Sequence, residues 1–385
     1  MSHLKERGTP IFRLCLQGIG RMSNSLAQEL GSATPKVSVI MPLYNKAAFV
    51  REGIESVLSQ GYPNLEILVR DDGSTDASRD VVQAIIDERQ DAEIQFFSGE
   101  NRGVSFGRNF LIEKASSPIL VLQDPDDIML PGFIAEAIKA MRATGARIVY
   151  SDVDVFGVQE THWQPPAFDP FGIRYGNCLA SFSMLDRDLW QAAGRFNEAL
   201  PFNEDWSFFM RASLESPVVH RLEKPYFRYR QTESGLYHSF VYGNWSHNLH
   251  LVMVANPDLY AVEEVLEAAR RLREMPSHWP AKFAALGERN PGHALPLIVR
   301  AIAAIRDNDG RSARELLERA VQASPKRDWL AIALLAEAVE ASEPQLALSL
   351  YHHARIRRPD LTRVVNARID HLLTRLRSPQ PNSSR

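Results

Sequence analysis

Three carboxylates fall within four positions at Asp124-Pro125-Asp126-Asp127, and a second acidic pair stands at Glu204-Asp205. Acids crowded this closely repel one another unless a cation or hydrogen-bond donors offset them. Hard divalent ions take oxygen ligands and bridge carboxylates to phosphates, which makes Asp124, Asp126 and Asp127 a candidate metal site. A carboxylate at the start of a helix, as at Asp205, reads by itself as an N-cap. Taken alone, the DxDD string reads as no more than a capped strand-to-helix loop.

The surrounding elements decide between these readings. Leu120-Val121-Leu122 is a short apolar run that ends at the acids, as a buried strand would. Carboxylates at the carboxyl end of such a strand lie where open α/β sheets bind ligands. Strands are expected at Val37–Met41, Leu65–Val69, Ile94–Phe97, Arg147–Ser151 and Pro225–Arg230. Helices are expected at Ala47–Gln60, Ala77–Arg89, Val104–Ala115 and Pro131–Ala143, with a short one at Asp186–Ala193. Strands alternating with helices of this length predict an α/β fold with a parallel sheet and helices on both faces. Trp163–Tyr175, rich in proline and aromatics, reads as an irregular loop over the sheet.

The bulk properties are those of a soluble globular chain long enough for two domains: 385 residues, 45% hydrophobic, 24% charged, net charge −3. That charge gives no case for nucleic-acid binding. The two cysteines, Cys15 and Cys178, are far apart and have no metal-ligand spacing, which fits a reducing compartment. No apolar run approaches the roughly 18 residues of a membrane span. Arg13 and Arg21 interrupt Ile11–Leu30, so a signal peptide is not expected there. Residues 1–34 read as a tail or a loosely attached helix, and the chain is expected to be cytoplasmic.

Three further segments bear on the acids. Pro42-Leu43-Tyr44-Asn45-Lys46 puts a tyrosine just past a strand end, where it can stack on a flat ring. Asp71-Asp72-Gly73-Ser74 offers a carboxylate to a ring N–H beside a tight turn, and Asn101-Arg102-Gly103 leads into a helix that carries Arg108. Each alone is better read as an anchor, a turn or a solvated helix. Together with DPDD and Asn203-Glu204-Asp205, in this order, they strongly resemble family 2 of the inverting glycosyltransferases. The resemblance covers roughly Lys36–Arg230.

The resemblance implies a GT-A, Rossmann-like nucleotide-sugar-binding domain. It implies that Pro42 and Tyr44 frame the base, that Asp71 reads a uracil ring with Asp72 beside it, and that Arg108 lies near the nucleotide. Asp126 is expected at the ribose or the metal, Asp127 on Mn2+ or Mg2+, and Arg230 at the diphosphate; whether Asp124 or Asp126 accompanies Asp127 stays open. Asp205 matches the general base, with Glu204 in support. The implied reaction moves one sugar, from a UDP-sugar by preference, to a hydroxyl of a glycan, lipid-linked or protein acceptor, with inversion. The alternative is an inactive nucleotide-sugar-binding scaffold. Trp206 and Thr232 stand where relatives often carry an acid and a histidine, which leaves the acceptor open. His238, alone in an aromatic segment, reads as structural.

The last third is all-α. Ala313, Leu316, Ala320 and Pro325 recur 34 positions later as Ala347, Leu350, Ala354 and Pro359. This resembles the second helix of a tetratricopeptide repeat, where small residues let paired helices approach closely. The expected divisions are 35–245 for the sheet domain, 246–275 for a connecting helical segment, 276–377 for the repeats and 378–385 for a disordered tail. Helical repeats imply a protein partner. The arginine-rich final helices, from Arg355 to Arg377, offer a patch for peripheral contact with an anionic membrane surface.

Overall fold

A computed structural model describes residues 22–179, 181–233, 244–323 and 329–377. The chain divides into two compact units, Met1–Glu198 with Phe202–Gly243, and Asn244–Arg385 with Ala199–Pro201. The expected class, an α/β domain followed by an all-α region, is the one the chain adopts. His238, Pro325, the first 21 residues and the expected tail at 378–385 lie outside the described residues.

The first unit begins with α1 (Asn24–Leu30), then β1 (Val37–Leu43), α2 (Val50–Leu58), β2 (Leu65–Asp71), α3 (Ser78–Glu88) and β3 (Glu93–Ser98). It continues with α4 (Val104–Lys114), β4 (Ile119–Leu122), β5 (Ile128–Met129), α5 (Phe133–Thr144), β6 (Ile148–Gly157) and β7 (Thr161–Trp163). β8 (Met184–Asp186), α6 (Arg187–Ala192), α7 (Glu204–Glu215) and β9 (Val219–Gln231) complete it.

The strands form one sheet in the order β3-β2-β1-β4-β8-β6-β9-β5, with β7 beside β6. From β3 to β4 all pairs are parallel. β8 then runs antiparallel to both β4 and β6, β9 is parallel to β6, and β5 is antiparallel to β9. The sheet is therefore mixed, which corrects the all-parallel expectation. β5 and β8 are two and three residues long. Segments that short have no readable periodicity, and they carry the change of direction.

Every residue of β1 and β4 is buried, as for a central strand covered on both faces. Registers pairing Leu43 with Asp71 and Asp71 with Ser98 bring the carboxyl ends of β1, β2 and β3 level. The segments after those ends, and the one after β4, contain Tyr44, Asp72, Gly99 and Asp124–Asp127. Part of the expected loose lead-in is a packed helix: Leu26 and Leu30 of α1 belong to the sheet's hydrophobic core. At seven residues α1 is too short for its pattern to stand out.

The second unit holds α8 (Trp245–Ala255), α9 (Val262–Arg271), α10 (Trp279–Arg289), α11 (Ala294–Arg306), α12 (Gly310–Ala323), α13 (Trp329–Val339), α14 (Pro344–Arg357) and α15 (Thr362–Arg377). The 34-residue period falls on α12 and α14. Ala313, Ala320, Ala347 and Ala354 are each fully buried, as residues at close helix–helix contacts must be.

Candidate active site

The acidic loop after β4 is held by main-chain and side-chain bonds rather than by regular structure. The Gln123 amide donates to the carbonyls of Asp124 and Asp127, each at 2.9 Å, and the Asp127 N–H donates to the Asp124 carbonyl at 3.2 Å. From α2, Gly53 lies so close that a Cβ there would sit 2.6 Å from the Pro125 carbonyl oxygen. The absence of a side chain on one helix thus sets the position of the loop.

The three carboxylates have different surroundings. Asp124 accepts from Arg108 Nη2 at 2.8 Å and from the Ser181 hydroxyl at 2.9 Å. Asp126 is paired with Lys46. Asp127 is buried; its Oδ1 accepts from the Arg230 N–H at 2.8 Å, while its Oδ2 has no hydrogen-bond partner among the described residues. Burial, then the charges of Asp126 and Asp124, hold the Asp127 carboxyl well above the usual carboxylate range. An orphaned, buried carboxylate oxygen beside a second acid fits a hard cation. Among the described residues no group of three His, Cys, Asp or Glu side chains could hold an ion by itself.

Arg108 is 2% exposed and bridges two acids far apart in sequence. Its Nη2 reaches Asp124, and its Nη1 donates to Glu204 Oε1 at 2.6 Å. Asp124 and Glu204 hold the guanidinium charged against the cost of burial. Arg108 therefore faces carboxylates inside the protein, and Glu204, at the first turn of α7, is its second anchor. Next to it, Asp205 is partly exposed. Its Oδ1 accepts from the Trp206 N–H at 2.7 Å and its Oδ2 from the Asn177 amide at 3.3 Å. Burial, with the Glu204 charge adding to it, pushes the Asp205 carboxyl up to about 7. A carboxylate in that range is matched to proton abstraction near neutral pH.

Arg230 closes the other side. Its Nε donates to the Asp126 carbonyl at 2.9 Å, it pairs with Glu52, and its guanidinium lies over the rings of Phe49 and Phe156 at 4.8 and 4.4 Å. Tyr229 is raised by burial and by the charges of Asp127, Asp124 and Asp126, so it lies within reach of the field of all three acids.

The residues expected at the base sit on neighbouring strand ends. Pro42, next to last in β1, lies under Gly107 of α4, whose added Cβ would lie 3.1 Å from Pro42 Cβ, and Tyr44 is 46% exposed just beyond the strand. The buried Asp71 carboxylate accepts from the Ser74 N–H at 3.2 Å and from Arg79 Nε at 2.5 Å. Asp72 turns away from that edge: it pairs with Arg70 and accepts from the N–H groups of Arg102 and Gly103 at 3.0 and 2.7 Å, at the entry of α4. Sequence reasoning did not single out Lys46, Gly53, Gln123, Asn177, Ser181 or Tyr229. Of these only Gly53 had a readable signal, a glycine inside an amphipathic helix that has no use for one.

A family model described as Glycosyl transferase family 2 matches residues 38–197. The chain is 39% identical over 95 residues to an uncharacterized glycosyltransferase of Haemophilus influenzae, which is 25% of this chain and 38% of that protein. It is 33% identical over 107 residues to the GalNAc(5)-diNAcBac-PP-undecaprenol beta-1,3-glucosyltransferase of Campylobacter jejuni, 27% of this chain and 34% of that protein. Thus the chain spans well under half the length of these curated relatives. Among solved structures, that of S. aureus TarS residues 1–349 in complex with UDP-GlcNAc aligns with a TM-score of 0.49 at 20% identity, covering 87% of this chain and 92% of that one.

Proposed function

With residues 38–197 forming a glycosyl transferase family 2 domain, we propose that the chain moves one sugar from a nucleotide sugar to an acceptor hydroxyl with inversion. The observation that carries this reading is the Arg108 bridge. One buried guanidinium ties the acidic loop after β4 to the first turn of α7, so the donor-binding acids and the candidate base adjoin.

Tyr44, exposed past β1, presents a ring face to the base. Asp71 is the acceptor for a uracil N–H; its partner Arg79, 48% exposed, is free to swing aside. This favours UDP as the carrier. Asp127, through its unpartnered oxygen, and Asp126, on exchange of Lys46, are the residues that would hold Mn2+ or Mg2+. Asp124, already engaged by Arg108 and Ser181, is read as a brace and not as a ligand. Bound there, the cation would neutralise charge on the departing nucleoside diphosphate. Arg230 and the released Lys46 add positive charge at the same edge.

On the acceptor side Asp205 takes the hydroxyl proton as that oxygen attacks the anomeric carbon from the face opposite the diphosphate. The Trp206 N–H and the Asn177 amide hold its carboxylate, and Arg108 donates to Glu204 beside it. A single displacement inverts the anomeric centre. The Campylobacter relative's name specifies an undecaprenol-linked acceptor, which favours a glycan or lipid-linked acceptor, reached from the cytoplasmic side of a membrane. No helix among the described residues is long and apolar enough to cross one. The 34-residue alanine repeat is read as a tetratricopeptide-like module for a protein partner.

The test is nucleoside diphosphate release from a panel of nucleotide sugars with Mn2+, with and without glycan and lipid-linked acceptor extracts. Acceptor-stimulated release is expected from the wild type. Asp205→Asn should keep UDP binding and lose about 10²–10⁴-fold in transfer. Normal transfer by that variant would remove Asp205 as the base, and no release from any donor would favour the scaffold alternative.

A further inference from the structure

Three cations alternate with two aromatic rings beside the acidic loop. Lys46 Nζ lies 6.0 Å from the centroid of Phe49, the Arg230 guanidinium 4.8 Å from Phe49 and 4.4 Å from Phe156, and the Arg228 guanidinium 4.3 Å from Phe156. Each contact is within cation–π range. The strands set this order. Arg228 and Arg230 are two apart on β9, so they project from one face, and the register puts Phe156 of β6 opposite Arg230. Both ends of the series are tied to the acids. Lys46 pairs with Asp126, and Arg228 is paired in the sheet with Ile128, the residue after Asp127.

The three cations are not neutralised alike. Lys46 has Asp126 and Arg230 has Glu52. Arg228 has neither an ion pair nor a side-chain hydrogen bond among the described residues. Asp154, opposite it on β6, bonds to His162 Nδ1 at 2.7 Å instead. None of the Arg228 nitrogens is a buried orphan, so its five N–H donors are open to solvent. Two guanidinium charges held across one ring repel, and Glu52 offsets only that of Arg230. Neither guanidinium is bonded to a carboxylate of the acidic loop, because Arg230 Nε goes to the Asp126 carbonyl. Glu52 is 55% exposed, and a surface pair of that kind is exchanged for a phosphate at little cost.

We infer that Arg228 completes, with Arg230, a diphosphate-binding pair that works without a metal ion. The planar fork of a guanidinium fits two phosphate oxygens at once, and Phe156 keeps the two forks side by side. The inference rests on the glycosyltransferase reading and adds a second means of holding a diphosphate, separate from any cation at Asp127. A diphosphate reaches this edge from either of two substrates, the nucleotide sugar or a lipid-linked acceptor. The same chemistry serves both.

The full-length wild type, Arg228→Gln and Arg228→Lys are titrated by calorimetry in EDTA with inorganic pyrophosphate, UDP, uridine and farnesyl diphosphate. The wild type should bind pyrophosphate without metal, and more weakly as salt is raised. Arg228→Gln should bind it about tenfold more weakly, the scale of one charge-assisted contact. Arg228→Lys, which keeps the charge, should recover part of that loss. A loss for UDP, with uridine and farnesyl diphosphate unchanged, assigns the pair to the donor. A loss for farnesyl diphosphate alone assigns it to a lipid-linked acceptor. Undiminished pyrophosphate binding by Arg228→Gln overturns the pair. So does a wild type that binds no pyrophosphate in EDTA, or binds it with no response to salt, and both results are read without any variant having to fold. Failure of the wild type to bind UDP with Mn2+ present would count against the glycosyltransferase reading and is scored separately.

Discussion

At the scale of single residues, the site is a set of carboxylates in unequal environments. Asp205, pushed up to about 7 by burial and by Glu204, is protonated and useless as a base on the acid side of that value. The proposed activity should therefore rise about tenfold per pH unit up to about pH 7 and then level off. A kcat/KM profile between about pH 5 and pH 8 tests this, and a flat profile would exclude Asp205. Asp127 behaves in the opposite sense for stability. Its carboxyl is raised in the folded state, so the unfolded chain gives up this proton first as pH increases. Folding stability is then lost as pH rises above about 4. Asp127→Asn removes that loss. Without metal it should raise the Tm by a few degrees at pH 8 and by less near pH 4, while abolishing Mn2+-dependent UDP binding; thermal scans and calorimetry check both. The residue types of this site were legible because each motif is local. The partners were not: Arg108 was expected beside a nucleotide, yet Glu204 lies 96 positions away, a distance no spacing rule spans.

At the scale of elements, the acidic loop depends on what α2 lacks. Replacing glycine by alanine inside a helix ordinarily stabilises by about 1 kcal/mol. Gly53→Ala should do the reverse, because the new Cβ would lie 2.6 Å from the Pro125 carbonyl oxygen. Overpacking of this kind costs about 1–3 kcal/mol. Denaturant unfolding should show the loss, and metal-dependent UDP affinity should fall with it because the loop is displaced. A stabilised variant would mean the loop yields freely. The longer strands and helices were readable from their periodicity. β5 and β8 were not, and both run antiparallel to the strands they pair with. Pairing across a sheet decides the state of segments of two or three residues, so their own sequence contains little of the answer.

At the scale of the whole molecule, the residues assigned to donor and base all fall in the sheet unit, and the recurring alanines all fall in the helical one. A polypeptide ending at Gly243 should therefore bind UDP with Mn2+ as the full chain does, and calorimetry would detect a loss. In the helical unit, the period was legible because it repeats the same small residue at the same depth. Ala354 is fully buried, as is Ala320, 34 positions earlier.

The braces of the acidic loop also set an order in time. Asp127 leaves the ribosome about a hundred residues before Arg230, whose N–H holds it. Glu204, the second anchor of Arg108, comes almost as late. At ~5–20 residues per second, the donor motifs are outside for roughly 5–20 s before the groups that fix them have been made. During that interval the loop lacks its brace and Asp205 is absent for most of it. On the proposed reading, a chain cut short before β9 would carry Tyr44, Asp71 and Asp124–Asp127 but lack Arg230 and with it a finished site, so an incomplete product is not equipped to hydrolyse nucleotide sugar to no purpose.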